Sequence, residues 1–164
     1  MDFPTRKRNR LPEYDYNAGV YFVTICTQDR RCILSDILVG DGVLDVPKVQ
    51  LSAYGEAVEQ TLQDINSTYA DISILKYVIM PNHIHLLVQI EDNGTSGTPS
   101  PTNKPLPRLV STMKRFSSKK CGFQLWQRSY HEHVIRNEQD YLEIWNYIDG
   151  NPAKWIEDRY YTGK

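Results

Sequence analysis

Two apolar runs separated by a single Pro-Asn pair constrain this chain more than any other feature. Residues 72–80 (ISILKYVIM) and 83–90 (HIHLLVQI) flank Pro81-Asn82. Runs of this length, rich in β-branched residues and joined by a turn signal, read as two strands. Strand geometry puts Ile84, Leu86, Val88 and Ile90 on one face of the second run. His83, His85, Leu87 and Gln89 share the other.

The rest of the chain arranges itself around that pair. Residues 19–27 (GVYFVTICT) read as a buried strand. Residues 33–49, broken by Gly40, Gly42 and Pro47, suggest turns or a small hairpin. Residues 51–65 carry Leu51, Tyr54, Val58, Leu62 and Ile65 at steps of three or four, a helical stripe. Residues 108–120 predict a second, basic helix with Leu109, Val110, Met113 and Phe116 inward. Residues 125–136 hold a fourth strand, and Asn137 caps a third helix with Tyr141, Ile144, Trp145 and Ile148 as its apolar stripe. Asn151-Pro152 ends it, because the residue before proline is biased out of the α region.

The order is strand, helix, strand, strand, helix, strand, then an extra helix. That is the α+β split β-α-β plan of ferredoxin-like folds: an antiparallel sheet with two helices on one face and the other face open. At 164 residues the chain fits one domain, 1–164. Residues 91–107 (EDNGTSGTPSPTNKPLP) form a surface loop within it, too polar and too rich in Gly and Pro to order themselves. No apolar run reaches the roughly 18 residues of a membrane span, and no secretory leader is visible, so no membrane partner is expected. Three cysteines, Cys26, Cys32 and Cys121, without metal spacing suit reduced thiols in a cytoplasm.

The net charge of -1 predicts no nucleic-acid partner, but its distribution is uneven. Between residues 35 and 71, seven acids face a lone Lys48; between 104 and 136, eight bases face a lone Glu132. The N-terminus adds Arg6, Lys7, Arg8 and Arg10. A polyanion could bind such a face, and so could ordinary solvent.

Candidate chemistry starts with His83 and His85. Two apart in a strand, they can share a metal through neutral nitrogens. The spacing alone fits two unconnected histidines equally well. His131 and His133 repeat the spacing around a charged Glu132, and His133 is a candidate to approach the site or touch phosphate. Tyr147 lies roughly 110° from the centre of the third helix's apolar stripe, with Asn151 one turn on. A phenol there is available for nucleophilic attack on a metal-polarised phosphate. In a chain with eleven tyrosines, packing is the ordinary role.

Residues 77–88 (YVIMPNHIHLLV) resemble the histidine-hydrophobic-histidine (HUH) signature of single-tyrosine transposases. Residues 126–128 (WQR), 133–138 (HVIRNE), Tyr147-Ile148 and Asn151-Pro152 resemble the C-terminal half of REP-associated tyrosine transposases. Arg10-Leu11-Pro12, Tyr14-Asp15-Tyr16 and Tyr21-Phe22-Val23-Thr24 also fit. The resemblance implies a ferredoxin-like endonuclease and strand-transferase acting on single-stranded or hairpin DNA. It implies Mg²⁺ or Mn²⁺ held by His83, His85 and Asn151, with Tyr147 as the nucleophile of a 5′-phosphotyrosine intermediate. Backbone contacts would come from Arg8, Arg10, Lys114, Arg115, Lys119, Lys120, Arg128, His133 and Arg136. Such a protein works in the cytoplasm at the nucleoid, as a monomer or a homodimer. The competing readings are a non-catalytic single-stranded nucleic-acid-binding module of the same fold, and a metallohydrolase of small phosphoesters.

Overall fold

The computed structural model describes residues 19–40, 42, 45–91 and 104–163. Arg8 and Arg10 lie outside the described residues, as does most of the 91–107 loop. The main sheet contains β1 (Gly19–Cys26), β4 (Ile72–Ile79), β5 (His83–Ile90) and β6 (His131–Ile135), in the order β4-β5-β1-β6. All neighbours are antiparallel. This is the ferredoxin-like order. The broken stretch after β1 forms a separate two-stranded ribbon, β2 (Ser35–Leu38) with β3 (Lys48–Leu51).

Helices α1 (Ala53–Thr68) and α2 (Pro105–Cys121) pack on one sheet face. There Val58, Leu62 and Ile65 from α1 and Leu109, Val110 and Met113 from α2 meet Ile84, Leu86 and Val88 of β5. Burying each such side chain contributes about 1.5–3 kcal/mol. Ser52 caps α1, its hydroxyl accepting from the Gly55 N–H at 3.2 Å. Gly55 is required for close approach: a Cβ there would lie 2.1 Å from the Leu34 carbonyl oxygen.

Several sequence expectations need correction. Leu51 ends β3 rather than opening α1, and Tyr54 is exposed, edge-on to Phe123. The loop expected to run to Pro107 gives way to α2 at Pro105, because proline is tolerated in a first turn whose N–H groups need no helical partner. Phe116 is exposed, and Ser117 takes the inward position, its hydroxyl accepting from the Trp126 indole N–H at 2.8 Å.

The second sheet face is not open over β5. Helix α3 (Glu138–Gly150) and a 3₁₀ segment, Pro152–Glu157, lie against it. Asn137 caps α3 through its side-chain oxygen, which accepts from the Asp140 N–H at 2.8 Å. Of the expected α3 stripe only Ile148 is fully buried. Trp155 and Tyr160 build a second small core with Cys26 and Met80. That core seals the histidine side of the sheet.

Candidate active site

His83 and His85 project from β5 into the space beneath this second cover, and both are essentially inaccessible to solvent. Their Nε2 atoms lie 3.1 Å apart. The Asn82 amide nitrogen donates to the Tyr160 carbonyl at 2.7 Å, which turns its Oδ1 toward His83 Nδ1 at 2.8 Å. His83 Nδ1 therefore carries the proton, and Nε2 keeps a lone pair. The Thr24 hydroxyl holds His85 Nδ1 at 2.8 Å, across the β1–β5 ladder. Burial drives both rings toward neutrality. It lowers His83 to about 4, partly opposed by the Asp158 carboxylate, and it takes His85 well below the ordinary value. Neutral imidazoles are the ligand form.

Asp158 completes the cluster. Its Oδ2 lies 3.9 Å from His83 Nε2, and ligand atoms of His83, His85 and Asp158 all fall within 4.8 Å of one another. The same oxygen accepts from Asn151 Nδ2 at 3.1 Å. Asn151 is buried at the C-terminal end of α3, and its Oδ1 is buried without a hydrogen-bond partner. An orphaned amide oxygen in such a place is costly unless something accepts its lone pairs. Two bonds of about 2.1 Å at right angles subtend about 3.0 Å, close to the observed Nε2 separation. The donor set fits a divalent cation.

Tyr147 enters from α3. Its ring stands 5.3 Å from that of His85 and 5.9 Å from that of Phe22, and the side chain is 42% exposed. Burial raises its pKa, with Asp158 adding to the rise and Arg159 and Asn151 opposing it. A cavity of about 380 Å³ opens beside the phenol, lined among others by Thr24, His85, His133, Arg159 and Tyr160. His133 thus reaches the cavity, its Nε2 paired with the Asp140 carboxylate at 2.9 Å.

No protein-family model matches the chain. An uncharacterised protein of Haemophilus influenzae is 31% identical over 175 residues, covering 96% of this chain and 93% of that one. A second H. influenzae protein, provisionally named a REP-associated tyrosine transposase, is 27% identical over 84% of this chain and 72% of its own. A REP-associated tyrosine transposase of Escherichia coli K12 is 24% identical over 88% and 73%. The solved structure of a REP-associated tyrosine transposase bound to a REP hairpin superposes with a TM-score of 0.65 at 20% identity, over 89% of this chain and 73% of that one. That last match is a likeness of fold.

The chain is similar in sequence to REP-associated tyrosine transposases and shares the fold of one of them. The sequence-derived set divides by layer. His83, His85, Tyr147 and Asn151 converge within one chain. Arg115, Lys119 and Lys120 ride on α2, across the sheet from the histidines, and Lys120 pairs with Asp64 at 3.1 Å. Lys114 is spent internally: its ammonium donates to the carbonyls of Gln127, Arg128 and Ser129 at 2.7, 3.1 and 3.3 Å. Arg128 and Arg136 are exposed on either side of β6. Asp158, Arg159, Tyr160, Thr24 and Asn82 were not among the sequence candidates. For Asn82 the available signal was its position before the first histidine; the acidic-basic-aromatic string after Pro152 gave none.

Proposed function

We infer that this protein is a metal-dependent single-stranded DNA endonuclease and strand-transferase with Tyr147 as its nucleophile. The observation that carries the reading is the placement of the Tyr147 ring against His85, at the edge of a cavity both residues line, while His85 shares a cluster of possible metal ligands with His83 and Asp158. His83 and His85 through Nε2, Asp158 through Oδ2 and Asn151 through Oδ1 would hold the cation. Carboxylate, amide oxygen and imidazole together suit Mn²⁺ better than Mg²⁺, which prefers oxygen alone. When bound, the ion supplies Lewis-acid polarisation of a phosphoryl oxygen and neutralises developing charge.

The protein's own groups do the rest. Asn82 fixes the His83 ring in orientation and tautomer, and Thr24 fixes the orientation of His85. The Tyr147 oxygen attacks phosphorus, its proton leaving to water; the P–O3′ bond breaks and the departing O3′ takes up a proton. The product is a 5′-phosphotyrosine and a free 3′-hydroxyl. A second 3′-hydroxyl can reverse the step, so strands rejoin without an outside energy source. Partners of this chemistry are single-stranded or hairpin DNA. The rival binding-module reading needs an exposed sheet face for base stacking, whereas the histidine strand is buried on both faces.

The test is a denaturing gel of protein incubated with Mn²⁺ and labelled hairpin-bearing single strands. A covalent adduct is expected from the wild type and none from Tyr147→Phe. Nicking without any adduct would favour the metallohydrolase; adduct surviving in the Phe variant would remove Tyr147 from the role.

A further inference from the structure

Arg30 and Arg159 both lie against the Tyr160 ring, whose centroid is 4.5 Å from that of His83. The Arg159 guanidinium lies 4.7 Å from the ring centroid and donates from Nη2 to the Tyr160 hydroxyl at 2.6 Å. It lines the cavity beside Tyr147 and His85. The Arg30 guanidinium lies 5.7 Å from the same centroid and lines a neighbouring groove of about 940 Å³, together with Arg31, Pro81, Trp155 and Tyr161. Both arginines are exposed. Among the described residues no carboxylate lies within ion-pair distance of either, whereas Arg108, Lys120 and Lys76 are each paired.

The backbone at Arg30 is unusual. Asp29 and Arg30 both have left-handed conformations, φ 55° and 52°. Arginine gains nothing locally from that region, so the surrounding contacts must impose it. They can be named. The Thr27 hydroxyl donates to the Arg31 carbonyl at 2.9 Å, and the Arg30 N–H donates to the Thr27 carbonyl at 3.1 Å. The Asn82 amide reaches the Arg30 carbonyl at 3.5 Å. Asn82 is also the residue that orients His83. The turn carrying Arg30 and the ring facing the cation site are thus held by one side chain.

We propose that Arg159 and Arg30 form a two-arginine clamp for consecutive backbone phosphates of a DNA strand, Arg159 on the scissile phosphate beside Tyr147 and Arg30 on its neighbour in the adjoining groove. This rests on the reading of the site given above. Guanidinium groups suit the task because their planar donor fork matches phosphate oxygens. The Tyr160 hydroxyl pre-orients one fork, and the locked turn positions the other. The clamp accounts for exposed, unpaired cations on the histidine side of the sheet, where α2's basic residues cannot reach.

The test reads binding, not cleavage, in EDTA, using a fluorescent oligothymidylate of about 20 nucleotides. For single strands, affinity falls with salt by about 0.7 log units per log unit of salt for each phosphate neutralised. Arg30→Gln and Arg159→Gln should each lower the wild-type slope by about 0.7, and Arg→Lys at either position should restore it. On wild-type protein, the oligonucleotide should protect both arginines from phenylglyoxal, mapped by mass spectrometry. Unchanged slopes in both Gln variants overturn the clamp. So does unprotected Arg30 and Arg159, even should the variants not fold. Adducts formed through Tyr147 alongside unchanged slopes would remove the clamp alone; lowered slopes without adducts would remove the nuclease reading alone. A wild type with no affinity for the strand would remove both.

Discussion

The ring of Tyr147 stands 5.3 Å from the ring of His85, centroid to centroid, within a single chain. A helix near the C-terminus and a central strand deliver these two groups to one cavity. No second subunit is required to bring phenol and imidazole together. The relationship exists because β5 turns its histidines away from the α1–α2 core, and α3 closes over that same face.

Tyr147→Phe should leave folding intact and remove covalent chemistry. The ring contacts with Phe22 and His85 survive the change. Stability should move by no more than about 0.5 kcal/mol. Thermal denaturation checks the fold, and affinity for a single strand should match the wild type.

Asp158→Asn should weaken Mn²⁺ binding by about tenfold or more, because a carboxylate beside two imidazoles contributes charge that an amide cannot. Asn151→Ala should also weaken it, by removing the orphaned Oδ1. Calorimetry on purified protein reads both. Equal affinity in Asp158→Asn and wild type would take Asp158 out of the ligand set.

Much of this site is legible in the sequence because it obeys a period. Two-residue spacing places His83 with His85, and four-residue spacing places Tyr147 with Asn151. Asp158, Arg159 and Tyr160 obey none. They lie just past the 3₁₀ segment Pro152–Glu157, in irregular backbone, and meet the histidines across about 75 residues of chain, a contact only packing creates. The open sheet face was misread for the same reason: Trp155 from the 3₁₀ segment and Tyr160 just after it cover it. Charge counting finds the basic character of α2 but not its layer. Phe116 and Ser117 show a similar limit, since adjacent residues on a helix compete for one inward position and the Trp126 indole selects the hydroxyl.

Lys114→Ala should destabilise the fold rather than loosen DNA. Its ammonium serves three carbonyls in the 127–129 segment, and burial lowers its pKa. Losing the donor leaves those carbonyls short of a partner, at a cost of about 1–3 kcal/mol. Urea unfolding should show the loss. The salt dependence of single-strand binding should stay at the wild-type slope, and a slope lowered by about 0.7 would instead count Lys114 among the phosphate contacts.

Stability of the metal-free protein should fall as the solution is acidified below neutrality. His83 titrates near 4 in the folded chain, chiefly because it is buried, against an ordinary value of 6.5 when unfolded. Above about pH 6.5 neither state binds the proton, and this group's contribution is fully present. Between about 6.5 and 4 the unfolded chain takes up a proton that the folded one refuses, so stability drops with falling pH. Below about 4 both states are protonated and the loss is complete, on the order of 3 kcal/mol. His85, also depressed by burial, acts in the same direction. Urea midpoints in EDTA at about pH 7 and pH 5 give the measurement, with His83→Gln as the comparison. The wild type should lose more stability between the two than the variant does. Equal losses would mean that the folded chain takes up the His83 proton as readily as the unfolded one, so that burial does not hold the ring neutral.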